Sequence, residues 1–259
     1  MLAPSSGTLR VVERELRIFR RLWRGSIFTS FLTPVLFLAA MGFGLGGLVD
    51  ERNADVAGGD YLEFLAPGLL AASAMVSAAG GSLWPVMGGM KWTRTFHAMV
   101  STPLAASDVY CGFVAWISLR ATISAAAFRL VATVLGAVPS PWGVLALPAT
   151  ALTAAAFVAP LAAFSATQDS DAAFPVIMRL GIVPLFLFSG TFFPLEQLPD
   201  GLEPLAVLSP LWHGVELCRG ATTGSLDLLP ALGHVAALLA CVAAGCWWGA
   251  RTFTRRLMA

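Results

Sequence analysis

The chain has 259 residues, of which 57 % are apolar and 12 % charged, with a formal net charge of +1. Water-soluble domains carry roughly a quarter charged residues, so this composition excludes an ordinary globular surface and places most of the chain in a bilayer. The four cysteines (Cys111, Cys218, Cys241, Cys246) include no C-x-x-C pair, which argues against a disulfide framework or a cysteine metal site.

In chain order, the N-terminal tail comes first. Leu9, Val12, Leu16, Phe19 and Trp23 recur at spacings of three and four, and Arg10, Arg14, Arg17, Arg21 and Arg24 do the same beside them. This predicts a helix over 8–24 with an apolar stripe next to a cationic one, the kind that lies in a membrane interface. A basic tail that sets topology without docking is the competing reading. The apolar run after Arg24 extends from Gly25 to Val49, too long for a signal-peptide core of roughly 7–15 residues and long enough to span.

Six stretches meet the length of about 20 residues that a spanning helix needs: 27–48, 64–90, 109–137, 142–167, 172–195 and 228–250. Pro34, Pro67, Pro85, Pro148, Pro160 and Pro184 fall inside them, where membrane helices accept kinks. The expected fold is therefore an all-α membrane protein, a single domain over 1–259 with six transmembrane helices. Eleven Lys and Arg fall in the two tails and the 91–107 and 168–171 connections, against Arg52 and Arg219 on the other side. The excess puts both termini in the cytoplasm. The turn Gln168-Asp169-Ser170-Asp171 is the exception, an acidic connection assigned to the basic side.

Two connections carry more pattern than a linker needs. In 91–108, Arg94 to Val100 can form about two helical turns, Pro103 stops them, and Ser107 or Asp108 can cap the third span. Phe96, Met99 and Val100 would be available for docking on the cytoplasmic face, or the segment is an ordinary connection. In 196–227, Ser209 before Pro210 is a good helix start, and Leu211, Val215 and Cys218 share a face, predicting short outer-leaflet helices before the last span.

Arg120 is the most costly residue, about 18 Å along the third span at 1.5 Å per residue. Such a charge faces a bundle interior or a water-filled path. It contacts an anionic or polar substrate, or it pairs with another segment. Arg129 and Arg179 lie near enough to the interfaces to snorkel, and Glu63 reads as interfacial. Gly42/Gly46 and Gly245/Gly249 form small-x-x-x-small patterns that permit close helix approach.

Catalytic motifs are missing. The only lysine is Lys91, preceded by Met90, so no phosphate loop with its lysine can form. His97, His213 and His234 are scattered, His213 and Glu216 make a poor metal pair, and there is no G-x-S-x-G. A membrane-embedded enzyme acting on lipid-linked substrates, the alternative function, would need clustered titratable groups at one face, and only Asp169 and Asp171 approach that.

Four segments resemble the ABC-2 type permeases, in particular their nodulation-factor and daunorubicin-type exporters. Tyr61-Leu62-Glu63-Phe64-Leu65-Ala66-Pro67-Gly68 is similar to the entry to that family's second span. Arg94-Thr95-Phe96-His97-Ala98-Met99 with Thr102-Pro103-Leu104 resembles its coupling helix. Phe188 to Pro199, containing Ser189-Gly190-Thr191-Phe192-Phe193-Pro194, resembles its S-G-x-x-F-P…L-P signature. Pro210-Leu211-Trp212-His213 through Arg219 resembles its P-L-x-H stretch. The resemblance implies a bacterial inner-membrane exporter subunit that is not itself an enzyme and binds no cofactor. ATP and magnesium would sit on a separate cytoplasmic ATPase subunit, and a second permease copy and membrane lipids would be the other partners, with no nucleic acid. It further implies that Arg94, Thr95, Phe96, His97, Ala98 and Met99 couple to the ATPase, that Arg120 faces the substrate path, and that Phe192, Phe193, Pro194, Trp212 and His213 belong to an outer gate. The substrate would be hydrophobic or lipid-linked: a glycolipid, a lipo-oligosaccharide or a drug. His97 and Phe113 stand where family members often carry acidic residues.

Overall fold

The computed structural model describes residues 4–41, 61–195 and 203–258. Among these there is no strand, and nine helices follow in chain order. They are α1 (Pro4–Met41), α2 (Tyr61–Met87), α3 (Thr95–Val100), α4 (Ala106–Val134), α5 (Ala146–Thr167), α6 (Phe174–Phe188), α7 (Glu203–Leu208), α8 (Pro210–Thr223) and α9 (Leu228–Leu257). A π-helical stretch, Gly88–Trp92, ends α2, and another, Ile177–Ile182, forms the middle of α6. Both lie close to a proline, Pro85 and Pro184, whose missing N–H loosens the regular bonding.

Four helical stretches are long and apolar enough to cross a membrane: Tyr61–Trp92, Ala106–Val134, Pro141–Thr167 and Leu228–Leu257. That is fewer than the six expected. The helix within the expected fifth span, 172–195, is short, because it closes at Phe188 and the chain turns at Ser189 and Gly190, the latter with φ of 75°. The expected first span, 27–48, begins inside α1, and its residues 42–48, with Gly42 and Gly46, lie outside the described residues. So do Arg52 and most of the loop after it, and residues 196–202 in the second patterned connection.

The expected interfacial helix over 8–24 does not stop before the first span. It runs unbroken to Met41 as one 38-residue helix. Its first half lies parallel to the start of α4. Gly7 and Thr8 meet Asp108, Val11 sits against Gly112, and Phe19 stacks edge-on against Trp116 with centroids 5.5 Å apart. The packed face is thus Gly7, Val11 and Phe19, while Leu9 and Leu16 of the apolar stripe stay exposed. Asp108 does not cap α4, which starts at Ala106 with no side-chain cap; its carboxylate accepts instead from Thr8 at 3.4 Å.

The centre is held by small residues. α5 is rich in alanine, and Ala154, Ala159, Ala162 and Ala166 are buried where it packs on α2 and α9. Gly245 of α9 lies against Ala159 and Pro160, and Gly249 against the Tyr110 ring. The Gly245/Gly249 pattern therefore marks a close helix approach, as its spacing suggested. The Tyr110 hydroxyl lies 2.7 Å from the Ala159 carbonyl oxygen and 2.9 Å from that of Gly245, tying α4, α5 and α9 through one proton. Inside the chain, 78 % of α2's most apolar window is buried but only 11 % of α9's. α2 is the hub and α9 the rim.

Candidate functional site

At the end where α2 closes, the chain crosses to α4 through α3. Arg94 precedes α3 in the left-handed conformation, with φ of 50°, a backbone state that costs a non-glycine residue roughly 1–2 kcal/mol. The helix is shorter than 94–101 but in the expected place. The apolar side chains expected to dock are not free: Phe96 is 5 % exposed, Met99 7 %, and Val100 is half-buried against the core. Phe96 packs edge-on to Phe113 of α4 at 5.8 Å and against Phe253 of α9 at 5.5 Å, over Gly89, where a Cβ would come within 2.6 Å of its ring. Phe113, one of the departures from the expected acidic pattern, is thus half of the anchor. The opposite side is open, with Trp92 65 % exposed and Arg94, Ala98, Ser101 and Pro103 also exposed. His97 faces a cavity of about 490 Å³ shared with Lys91, Arg94, Gln168 and Arg256. Its Nδ1 is buried with no hydrogen-bond partner among the described residues.

The acidic turn after α5 lies at this same end. Lys91 donates to the Asp169 carbonyl oxygen at 2.6 Å and pairs with its carboxylate at 3.2 Å, and Arg256 pairs with the same oxygen at 3.0 Å. The hydrogen bond from Lys91, then that from Arg256, holds the Asp169 carboxyl below its usual range. The turn's negative charge is matched by the two cations beside it, which accounts for an acidic connection on the basic side.

At the opposite end three of the quoted motifs converge. The Arg219 guanidinium donates to the Gly190 carbonyl at 2.6 Å, pairs with Glu216 at 2.6 Å and lies 4.1 Å above the Phe64 ring. Gly68 lies so close to Thr191 that a Cβ would come within 2.7 Å of its carbonyl oxygen, and Tyr61 donates to the Phe192 carbonyl at 3.4 Å. Ser189 donates to Ser209 at 3.2 Å, and Ser209 caps α8 by accepting from the Leu211 N–H at 3.1 Å. Phe192 packs edge-on to Phe186 at 5.1 Å; Phe193 and Pro194 are half-buried beside it. Trp212 packs on both His213 and His234, whose Nδ1 atoms are 2.8 Å apart. Burial, and then the charge of His234, holds the His213 imidazole below its usual value.

Arg120 lies between these ends. Its guanidinium passes over Gly81 of α2, and Glu15 of α1 is the acidic group within electrostatic reach. The charge thus sits where α4 packs on α2. Among the described residues no three His, Cys, Asp or Glu side chains group as a metal site.

Residues 8–222 match the family described as ABC-2 type transporter. The chain belongs to that family. Among curated relatives, it is 33 % identical over 213 residues to Nodulation protein J of Sinorhizobium fredii, covering 82 % of this chain and 80 % of that protein. Nodulation protein J of Rhizobium leguminosarum bv. viciae is 32 % identical over 225 residues, 85 % of each chain. The Inner membrane transport permease YadH of Escherichia coli is 24 % identical over 242 residues, 90 % of each. As an ABC-2 type permease the chain is a multi-pass helical transport protein of the inner membrane, in a family whose members work with a cytoplasmic ABC ATPase. Sequence reasoning missed Arg219 as an organiser and Phe113 and Phe253 as the anchor of α3. Arg219 carried a signal: it is the only cation of the 196–227 connection. Phe253 carried none, being one aromatic in a tail read only for its charges.

Proposed function

We propose that this chain is the membrane subunit of an ABC exporter, working as a dimer with both termini in the cytoplasm and six spans per copy. It moves a hydrophobic or lipid-linked substrate (a glycolipid, lipo-oligosaccharide or drug) outward. It performs no bond chemistry; ATP and magnesium belong to the partner ATPase. The observation that carries the reading is α3 itself, a short helix with one face locked into the bundle by Phe96 and Met99 and the other, with Trp92, Arg94 and Ala98, open at the basic end. A partner pressing on that open face moves α4 and α9 through the aromatic contacts rather than bending a loop. Coupling residues are Arg94 to Met99. The opposite knot, with Phe192, Phe193, Pro194, Trp212 and His213, closes the outer end, and Arg120, packed over Gly81 of α2, lies along the path between them.

The decisive experiment replaces 94–101 by Gly and Ser and asks whether the ATPase still co-purifies. Loss of the ATPase from a normally inserted permease supports the coupling role; unchanged binding removes it. Arg120→Leu is expected to abolish export without altering dimerisation, and normal export would take Arg120 off the path.

A further inference from the structure

The chain carries a second built surface, on the rim helix α9. A cavity of about 410 Å³ at the end of α9 is lined by Trp247, Trp248, Arg251, Thr252, Arg255 and Arg256. Beside it an apolar groove of about 460 Å³ runs between α5, α6 and α9, lined by Phe157, Leu161, Ile182, Leu185, Cys241 and again Trp248. One side chain, Trp248, walls both. We propose that together they bind one anionic phospholipid, its phosphate between Arg251 and Arg255 and its acyl chains in the groove.

Charge is the first argument. Arg251 and Arg255 are one helical turn apart on the same face, an arrangement in which like charges destabilise a helix. Neither has an acidic partner among the described residues, whereas Arg256 is held by Asp169 and the Thr167 carbonyl. The Arg251 guanidinium stacks 3.8 Å above the Trp247 ring, which fixes its plane and leaves its donors free at the edge. Two such forks a turn apart match the oxygens of a phosphodiester, which arginine binds in bidentate fashion.

Position is the second. Trp247 and Trp248 sit one turn before the arginines, the order of an aromatic belt followed by the headgroup layer. Cys241 lies seven residues before Trp248, roughly 10 Å further along α9 at 1.5 Å per residue, so the groove begins where acyl chains begin. α9 is the least buried of the four spanning stretches, and Leu229, Leu232 and Leu239 continue its exposed apolar face. A soluble anion would use the arginines and leave the groove empty; a lipid fills both. The inference rests on α9 crossing the bilayer and not on the transport reading, so the two can fail separately.

The test is native mass spectrometry of the purified full chain in mild detergent. It is titrated with phosphatidylglycerol, with phosphatidylcholine of the same acyl chains, and with inorganic phosphate as competitor. Phosphatidylglycerol is expected to bind at least tenfold more tightly than phosphatidylcholine, a comparison that needs no variant. R251Q/R255Q should reduce phosphatidylglycerol to the phosphatidylcholine level, while R251K/R255K keeps part of the preference. Gly181→Leu fills the groove at a position where an added Cβ meets only Ile177, at 4.0 Å, and should weaken phosphatidylglycerol severalfold. Equal binding of the two lipids, or no effect of R251Q/R255Q, would overturn the proposal. Full displacement by millimolar phosphate together with an inert Gly181→Leu would instead mark a free-anion site. A groove occupied by a second copy would appear as a dimer that Gly181→Leu dissociates and no retained lipid, and would also overturn it.

Discussion

The two ends of the bundle are fastened by different physics. At the basic end, α3 is held by ring contacts between Phe96, Phe113 and Phe253, and the α5–α6 turn by exposed ion pairs to Asp169. At the other end, the chain is held through its backbone: Arg219 on the Gly190 carbonyl, Tyr61 on the Phe192 carbonyl, and Gly68 against the Thr191 main chain. The burial of apolar rings is non-directional and survives small shifts, whereas a hydrogen bond to a carbonyl weakens steeply with distance and angle. The difference teaches that the basic end can pass a displacement on, while the opposite end holds one shape until its bonds break together. On the coupling proposed above, the basic end is a compliant input and the opposite end a catch that releases cooperatively.

The largest expected effect tests the input. Phe96→Ala removes a fully buried ring between three elements, a change that costs about 3–5 kcal/mol in well-packed sites. A lower melting temperature of the detergent-purified chain reads that loss. ATPase co-purification should persist, because Trp92, Arg94 and Ala98 are untouched, while ATPase-driven export fails. If export stays coupled, the rings do not transmit and the comparison breaks. Next comes the catch. Arg219→Met leaves the Gly190 carbonyl and Glu216 without their cation, worth about 2 kcal/mol at a partly buried charge-assisted bond. Export should become leaky, while ATPase binding stays normal. A loss of ATPase binding instead would mean the two ends are not separable.

Much of this was legible from the residues alone, and the reasons differ by element. Charge counting placed the tails and α3 on one side; the acidic 168–171 turn, the exception to that count, lies there too because Lys91 and Arg256 pair with Asp169. Ser209 and Pro210 announced α8, because an N-cap and a first-turn proline act locally. The length of the fifth span was not legible: hydropathy continues through Phe192 and Phe193, and only the left-handed Gly190 ends the helix. The face of α1 that packs was also hidden. Periodicity favoured Leu9 and Leu16, yet Val11 is buried because Gly112 opposite it leaves room. In a bilayer, small residues rather than large apolar ones decide which faces meet. Arg120 was found by its cost, but its neighbour Glu15 lies over a hundred residues away, beyond any local pattern.

A smaller effect sharpens the contrast by testing what holds the rim helix α9 to α4 and α5. Tyr110→Phe keeps the ring against Gly249 and removes only the hydroxyl shared by Ala159 and Gly245. The expected cost is about 1 kcal/mol, the net worth of a neutral hydrogen bond, read as a drop of a few degrees in melting temperature. An unchanged melting temperature would mean that packing alone joins α4, α5 and α9.

The smallest effect belongs to the exposed turn, and its pH dependence carries the sign. Asp169 is held below its usual carboxyl value by Lys91 first and Arg256 second, so folding favours the ionised form. The contribution is complete above the ordinary carboxyl value of about 3.9 and disappears as pH falls through the lower folded value. Asp169→Asn should therefore melt slightly below wild type at pH 7, and the gap should close on acidification below about 4. Being solvent-exposed, the pairs are also screened, and half-molar salt should shrink the gap at pH 7. The absence of any gap at pH 7 and low salt would assign the turn's fastening to the Lys91 and Arg256 bonds with the Asp169 and Thr167 carbonyls, which the Asn variant keeps, rather than to charge. The basic end would then be built on backbone contacts like its opposite, and the contrast between the two ends would rest on the α3 rings alone.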